Sequence, residues 1–257
     1  MYWVLQENIC NEEGMDNLFS ILKNNEIPHS VHKVIPFIGE LLPDIEVDNP
    51  VICMGSYSLW RVAERKGWTP GVFKISGIWD NMIAWQDKML NYDSILCNFG
   101  DEDIRFPGDL FFIRPVADSK DFAGTVMSIK EFKEWQEKVV LLGEDDGSGL
   151  RSNTKIIISS PKNISKEIRY WIVDGRIVTS SYYVLGGKKS VKLPPDEESN
   201  VLVKWAIEKH QPNRAFVIDT AFSNGEWKIV ETNCFNAAGF YNADISRIVA
   251  AIENMEI

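Results

Sequence analysis

The feature that most constrains the fold is a predicted β-hairpin near the end of the chain, whose two arms each close with an acidic residue. The first arm covers residues 216–218 and closes with Asp219, and the second covers residues 227–230 and closes with Glu231. Between them lies Asn224-Gly225, one of the strongest dipeptides for a two-residue hairpin turn. The pattern therefore predicts two antiparallel strands that bring two carboxylates close together.

Side-chain alternation adds a third polar group to this pair. Glu231 and Asn233 are two residues apart, so both side chains leave the same face of the strand. Folding at the turn brings Asp219 opposite them. Two carboxylates and an amide oxygen are hard ligands that suit Mg²⁺, which usually keeps waters and substrate phosphates as its other ligands. The alternative is a surface hairpin with ordinary solvated acids.

Composition limits the class of protein. The chain has 257 residues, enough for one large domain or two small ones. Its net charge of −10 argues against nucleic acid as the main partner but leaves room for one nucleotide at a local basic site. The four cysteines show no C-x-x-C spacing, which favours reduced thiols and a cytoplasmic protein over a zinc site or a disulfide framework. No run of about 18 apolar residues is present, so no membrane-spanning helix is expected.

Hydrophobic periodicity predicts a chain in two parts. Strands and helices alternate in the first part, which indicates a small α/β unit with a mainly parallel sheet. The strands are predicted at 2–9, 31–37 and 50–54, and the helices at 12–24, 55–66 and 79–90. The Gly55-Ser56 turn that opens the second helix is either an anion site or a plain turn. The polar stretch 98–103 is the predicted boundary between residues 1–103 and 104–257.

The second part is rich in strands. Its helices are predicted at 128–137, 200–210 and 243–253. The first of them begins with Ser128 followed three residues later by Glu131, the pattern of a capping box.

Several basic residues are candidates for binding phosphate. Arg114 lies in the otherwise apolar run 111–116, where a charge must be paired or bind a ligand. Its guanidinium suits phosphate, and a structural salt bridge is the alternative. Lys120 and Arg169 could neutralise charge that develops on a transferred phosphoryl group. For Arg169, the alternative is a cross-strand charge pair with Glu167 on a solvated sheet face.

No protein nucleophile is indicated by the sequence. The three histidines have no partner at metal or triad spacing, and there is no G-x-S-x-G motif. Chemistry at this site must therefore depend on substrate groups, a metal ion and electrostatics.

The hairpin and three earlier segments together resemble a known family. The order apolar-Asp, turn, apolar-Glu-x-Asn is similar to the metal-binding end of ATP-grasp enzymes. Before it come residues 111–116, similar to the strand whose basic residue touches the phosphates, and residues 155–161, similar to the hinge strand beside the adenine. Residues 167–182 resemble the hairpin that follows. The resemblance covers roughly residues 105–250.

Two departures from the common pattern narrow the resemblance. Most ATP-grasp enzymes have lysine where Arg114 stands, and their glycine-rich phosphate loop corresponds to residues 116–125, which hold one glycine. Both departures, and the ending at residues 238–241, are similar to the phage and bacterial ATP-grasp clade named for an arginine/lysine exchange.

The resemblance implies a mixed α/β (α+β) fold, with a small N-terminal α/β domain followed by an ATP-grasp domain. It implies ATP and Mg²⁺ as cofactors, and a carboxylate–amine ligase that forms an acyl phosphate and releases ADP and phosphate. The substrates would be small-molecule or peptide carboxylates and amines. An ATP-dependent phosphotransferase and a nucleotide-binding module without catalysis are the alternatives.

Each implied site residue stands at a matching position. The metal ligands would be Asp219, Glu231 and Asn233, the nucleotide would be bound by Arg114, Lys155, Ser159, Ser160, Glu167 and Arg169, and the catalytic residues would be Arg169 and Lys120.

Overall fold

The computed structural model describes most of the chain as three β-sheets and their helices. The described residues are 1–7, 14–35, 39–75, 78–117, 122–142, 149–185, 188–191 and 193–256. Among them, no helix is long and apolar enough to cross a membrane.

The first sheet is mainly parallel, as the alternation of strands and helices predicts. Its strands are β1 (Tyr2–Gln6), β2 (His29–Val34), β3 (Leu41–Leu42), β4 (Val51–Met54) and β5 (Pro70–Gly71). They lie in the order β3-β2-β1-β4-β5, and β3 is the antiparallel edge. Helices α1 (Met15–Asn24) and α2 (Tyr57–Lys66) connect the strands. Parallel neighbours need such crossovers, so the connections follow from the topology.

The second sheet is antiparallel and has four strands. Helix α3 (Ile78–Trp85) and a 3-10 turn lead into it. Its strands are β6 (Ile95–Asn98), β7 (Leu110–Pro115), β8 (Thr125–Ser128) and β9 (Lys155–Ser159), in the order β6-β9-β7-β8. Helix α4 (Ile129–Leu142) covers one face of this sheet, where Phe132 packs with the sheet residues Phe111 and Ile158. The opposite face is therefore left to meet the rest of the protein.

The third sheet is antiparallel and has five strands. They are β10 (Ile164–Val173), β11 (Arg176–Leu185), β12 (Lys188–Val191), β13 (Ala215–Ser223) and β14 (Glu226–Cys234), in the order β12-β11-β10-β13-β14. Helices α5 (Glu197–Lys209) and α6 (Ile245–Glu253) complete the fold.

The five-stranded antiparallel sheet is the centre of the molecule because both of its faces are covered. One face packs against the first sheet, in a core where Trp171 stacks on Phe240 at 5.0 Å between ring centroids. The other face packs under α5 and α3, around Tyr170 and Phe216. Large aromatic side chains bury much apolar surface at such junctions, which explains the use of several of the tryptophans.

The predicted hairpin is confirmed. Strands β13 and β14 meet at Asn224 and Gly225, whose φ angles of 52° and 87° fit the turn that matches the twist of a two-residue hairpin. Ser128 and Glu131 form the predicted capping box, with the Ser128 backbone N–H donating to the Glu131 carboxylate at 2.7 Å.

Several helix boundaries differ from the prediction, including the end of α4 at Leu142 rather than at residue 137, and three of the differences have a local cause. Helix α3 ends at Trp85 because Gln86 has a φ of 47°, which is incompatible with a continuing helix. Helix α5 begins three residues early, with two glutamates in its first turn that favour the positive end of the helix dipole. Helix α6 begins at Ile245, because the Asp244 side chain accepts from the Arg247 backbone N–H and caps it.

The predicted domain boundary at residues 98–103 follows a strand of the second sheet. Strand β6 pairs with β9, so the four-stranded sheet begins on the N-terminal side of that boundary. The division into residues 1–103 and 104–257 stays a prediction.

Candidate active site

A row of charged side chains crosses three strands of the five-stranded antiparallel sheet. Arg169 on β10 pairs in register with Asp219 on β13, and Asp219 pairs in register with Glu231 on β14. Residues directly opposite in antiparallel strands point to the same face. The register therefore brings together the carboxylates that the hairpin pattern predicts, and adds Arg169 beside them.

A local irregularity of the hairpin places the two acids. The pairing shifts by one residue after Asp219, since Thr220 faces Ile229 rather than Val230. An extra residue of this kind bends the strand and redirects its side chains, and it is frequent beside active sites.

Asp219 and Arg169 form the most deeply buried ion pair of the site. The Asp219 side chain is 1% exposed, and it accepts from Arg169 Nε at 2.8 Å and from Nη2 at 2.7 Å. Burial acts to lower the pKa of Arg169, but the charge and hydrogen bonds of Asp219 outweigh it and raise that pKa. Burial also raises the pKa of Asp219, against the effect of Arg169. The guanidinium stays charged, and its planar fork fixes the carboxylate.

Glu231 and Arg114 form an ion pair between two sheets. Arg114 on β7 donates from Nη1 to Glu231 Oε2 at 2.6 Å, although the two residues are far apart in sequence. Burial acts to raise the pKa of Glu231, but the charge of Arg114 and the hydrogen bonds of Asn233 and Arg114 outweigh it and lower that pKa. The predicted alternative for Arg114, a salt bridge to an acid, is therefore present in the structure.

Asn233 joins the two carboxylates. Its Nδ2 donates to Asp219 Oδ2 at 2.9 Å and to Glu231 Oε1 at 3.1 Å. One atom within hydrogen-bonding distance of both acids shows that the three predicted metal ligands converge. The amide must turn over before Asn233 can offer its oxygen to a cation.

A pocket of about 340 Å³ opens beside these ion pairs. Its walls come from the end of β7, the loop after it, and β14, and they are formed by Arg114, Pro115, Ala117, Phe122, Ala123, Gly124, Glu231 and Asn233. The loop packs directly on β7, because a Cβ at Gly124 would stand 2.8 Å from Phe112 Cζ. Any larger residue at Gly124 would push the loop away from the strand.

The residues of the hinge strand that are predicted to bind the nucleotide have different surroundings. Arg114 pairs in register with Ile157, so Lys155, two residues before Ile157, shares the face of Arg114. Lys155 is exposed. Ser159 is buried, and its hydroxyl donates to Asn91 Oδ1 at 3.1 Å. Ser160 follows the strand and is partly exposed. Nucleotide binding by Lys155, Ser159 and Ser160 stays a prediction.

Two tyrosines that the sequence reasoning missed lie beside Arg169. Tyr183 on β11 and Tyr241 after β14 stack with 5.3 Å between their ring centroids. The Arg169 Cζ lies 5.6 Å from the Tyr183 ring and 5.1 Å from the Tyr241 ring. Tyr183 also lies near Glu167, whose pKa is raised by burial. Neither tyrosine belongs to a spacing pattern, so the only signal was the position of Tyr241 in the family-like ending.

Two further predictions concern Lys120 and the Gly55-Ser56 turn. Lys120 lies outside the described residues, so its catalytic role stays a prediction. The Gly55-Ser56 turn uses its backbone donors within the protein: the N–H of Gly55 donates to Asn236 O and that of Ser56 to Gln6 Oε1, both at 2.8 Å. In this conformation the turn is a structural connection, and those donors are not directed at an anion.

Two thiols are not activated. Burial raises the pKa of the buried Cys53 to about 12 and that of the partly buried Cys97 to about 11. Both thiols are protonated at neutral pH.

An antiparallel four-stranded sheet facing a five-stranded one, with acids and an amide on one wall of the cleft and a basic side chain on the other, defines a protein of the ATP-grasp class. The chain belongs to an ATP-grasp domain family, the third family of the clade named for an arginine/lysine exchange, whose family model matches residues 42–252. The predicted family and its fold are thereby confirmed.

Similar solved structures support the fold at low sequence identity. The D-cycloserine synthetase DcsG is 13% identical, with 98% of each chain covered and a TM-score of 0.62. The D-alanine–D-alanine ligase from Bacillus anthracis is 12% identical, with 98% of this chain and 92% of that chain covered and a TM-score of 0.60. The ATP-grasp ligase PsnB with a minimal precursor is 12% identical, with 98% and 97% covered and a TM-score of 0.58. No match is found among curated protein sequences.

Proposed function

We propose that the protein is an ATP- and Mg²⁺-dependent carboxylate–amine ligase that forms an acyl phosphate and releases ADP and phosphate. The observation that carries this proposal is the meeting of Arg114 from one sheet with Asp219, Glu231 and Asn233 from the other, beside a pocket of about 340 Å³. Such a cleft offers basic side chains that can bind phosphate oxygens on one wall, and hard oxygen ligands for a metal ion on the opposite wall.

The donor set fits Mg²⁺. Two carboxylates lie within hydrogen-bonding distance of one amide nitrogen, so their oxygens already surround one small volume. Mg²⁺ binds a few protein oxygens and takes its remaining ligands from water and substrate phosphates. When bound, it would neutralise charge between the outer phosphates of ATP.

The chain's own residues would do the remaining work. Arg114 and Lys155, on one face of the four-stranded sheet, would hold phosphate oxygens as the substrate carboxylate attacks the γ-phosphate. Arg169 would stabilise the charge on the transferred group, with Lys120 assisting, before an amine displaces phosphate from the acyl phosphate.

The ion pairs of the site would exchange partners when the nucleotide and the cation bind. Arg114 would pass from Glu231 to phosphate, and Glu231 would pass from Arg114 to the cation. Each buried or half-buried charge then keeps an opposite charge beside it. The exchange of partners therefore leaves no charge unpaired in a poorly solvated place.

The acceptor is proposed to be a small molecule or a peptide. Similar structures include a D-cycloserine synthetase, a D-alanine–D-alanine ligase and a ligase complexed with a precursor peptide. We propose that the small N-terminal α/β domain helps to shape the acceptor site.

Replacing Arg114 by alanine should weaken ATP binding by about 10–100-fold and adenosine binding by much less, because a charge-assisted bidentate contact to phosphate is lost. Arg114→Lys should retain part of the affinity, since lysine supplies the charge without the fork. Titration calorimetry with both ligands measures this. Arg151, which lies outside the pocket lining, provides a matched arginine-to-alanine control. Equal weakening of ATP and adenosine would assign Arg114 to structure alone.

The products test the proposed chemistry directly. With a panel of amino acids and short peptides, hydroxylamine should trap an acyl phosphate as a hydroxamate, and phosphorus NMR should show ADP and phosphate accumulating. AMP and pyrophosphate as main products would overturn the mechanism. ADP without a trappable acyl species would favour a phosphotransferase, and nucleotide binding without turnover would favour a binding module.

A further inference from the structure

Arg169 is held from two sides by different kinds of contact. On one side, Asp219 accepts two hydrogen bonds from the guanidinium. On the other, the guanidinium lies against the Tyr183 and Tyr241 rings, at 5.6 Å and 5.1 Å from Cζ to the centroids. Aromatic faces attract a guanidinium through their negative π-surface, so both contacts favour this placement.

The backbone around Tyr241 is shaped to make this contact. Tyr241 has a φ of 50°, a left-handed conformation that bulky residues rarely adopt and that is concentrated at functional sites. Neighbouring bonds fix the segment: Arg169 Nη1 donates to Gly239 O at 3.3 Å, and the Asn242 N–H donates to Ser181 Oγ at 3.1 Å. The loop is thus tied to β10 and β11 on both sides of Tyr241.

Tyr183 is fixed independently. Its ring stacks on Tyr241 with an interplanar angle of 18°, and it lies near Glu167, two residues before Arg169 on the same strand. Burial raises the pKa of Tyr183, so its hydroxyl keeps its proton.

The carboxylate oxygens of Asp219 would have two partners in the proposed function. They would bind the cation, and they are also the oxygens that accept hydrogen bonds from Arg169. The contacts of Arg169 that do not compete with the cation are the two rings and the Gly239 carbonyl. These contacts can keep the guanidinium in place when Asp219 turns to the metal.

We infer that Tyr183 and Tyr241 are positioning residues that hold the Arg169 guanidinium independently of Asp219. This inference rests on the proposed function, in which Arg169 acts on the transferred phosphoryl group. It assigns a purpose to the unusual backbone of Tyr241 and to the stacking of Tyr183 on Tyr241.

NMR of the Arg169 Nε–H group tests whether the two tyrosines keep the guanidinium in place, and it does not require a measurement of activity. In the wild type, the signal should be shifted by the aromatic rings and should persist when Mg²⁺ and ADP are added. In Tyr241→Leu, it should lose the part of the shift that the Tyr241 ring induces, and it should broaden or disappear with Mg²⁺ and ADP. Tyr241→Phe should restore both properties, because the ring face remains. Tyr57→Leu is the matched control, since it also removes a tyrosine from an aromatic pair. Tyr57 pairs with Trp60 on α2, with 4.1 Å between the ring centroids.

A second arm needs neither metal nor nucleotide. Asp219→Asn weakens the pairing on one side, with circular dichroism to confirm folding. The Arg169 signal should persist in Asp219→Asn and be lost in Asp219→Asn/Tyr241→Leu. If the signal behaves alike with and without Tyr241 in this background, the inference is overturned. If the wild type does not bind Mg²⁺ and ADP, the proposed function fails, and this arm still decides the inference.

Turnover gives an independent readout. Tyr241→Leu should lower the kcat of ATP turnover by about 10–100-fold, because a small displacement of a charge-stabilising group is costly, with KM for MgATP nearly unchanged. Tyr241→Phe should recover most of kcat. A loss confined to KM, or no recovery with phenylalanine, would contradict positioning by the ring face.

Discussion

Replacing Glu231 by glutamine is expected to reduce Mg²⁺-dependent ATP turnover by about 100–1,000-fold while the fold stays intact, the range seen when one stabilising group of a transition state is removed. Glutamine has nearly the same shape and can still accept from Arg114, which is partly exposed and can be solvated. It lacks the negative charge that a Mg²⁺ ligand needs. The loss should therefore fall on catalysis and metal affinity rather than on packing.

The measurement is ATP turnover as a function of Mg²⁺ concentration, with circular dichroism as the folding control. Glu226→Gln is the matched variant, because Glu226 lies on the same strand, pairs with Lys228 and has an exposed side chain. It should turn over ATP as the wild type does. Full activity in a folded Glu231→Gln protein would remove Glu231 from the metal site.

Local sequence patterns predicted the residues of the acidic wall of the cleft. The asparagine–glycine turn predicts the hairpin, and side-chain alternation places Glu231 and Asn233 on one face. The turn register alone would set Asp219 opposite Val230, so the one-residue shift after Asp219, which the sequence pattern did not predict, is what brings Asp219 opposite Glu231. The same reasoning identified Arg114, because a charge inside an apolar strand has few acceptable surroundings. Each of these inferences needs only neighbours in sequence or across one turn.

The partners of those side chains could not be predicted, because they come from distant parts of the chain. Arg114 meets Glu231 from another sheet, and the Ser159 hydroxyl is bonded to Asn91. The stacking of Tyr183 with Tyr241 needs the loop after β14 to return over β11. Such contacts depend on how the sheets pack, which no short-range periodicity encodes.

The start of α4 was predicted well because two side chains enforce it. Ser128 and Glu131 form hydrogen bonds to each other as a capping box, so residues 128–131 are enough to predict where α4 begins. The end of α3 depends instead on the left-handed backbone of Gln86, which apolar periodicity does not register.

Replacing Asp219 by asparagine should lower the free energy of unfolding by about 3–5 kcal/mol, because it leaves the charge of Arg169 buried without a counter-charge. The Arg169 side chain is 10% exposed, so water cannot compensate. Arg169→Met/Asp219→Asn removes both charges and should recover much of the loss. Urea unfolding of the two single variants and the double variant measures the coupling.

The chain provides a surface counterpart for this test. Arg214 and Asp174 form the same forked pair, with Arg214 Nε at 2.7 Å and Nη2 at 2.9 Å from the two carboxylate oxygens. Their side chains are 48% and 41% exposed, so Asp174→Asn should lower stability by about 1 kcal/mol or less. Asparagine also tolerates the positive φ of Asp174, which avoids added backbone strain. Similar losses for Asp219→Asn and Asp174→Asn would contradict a buried charge at Arg169. A large loss at Asp219 alone would show that burial makes the Arg169–Asp219 ion pair important for folding.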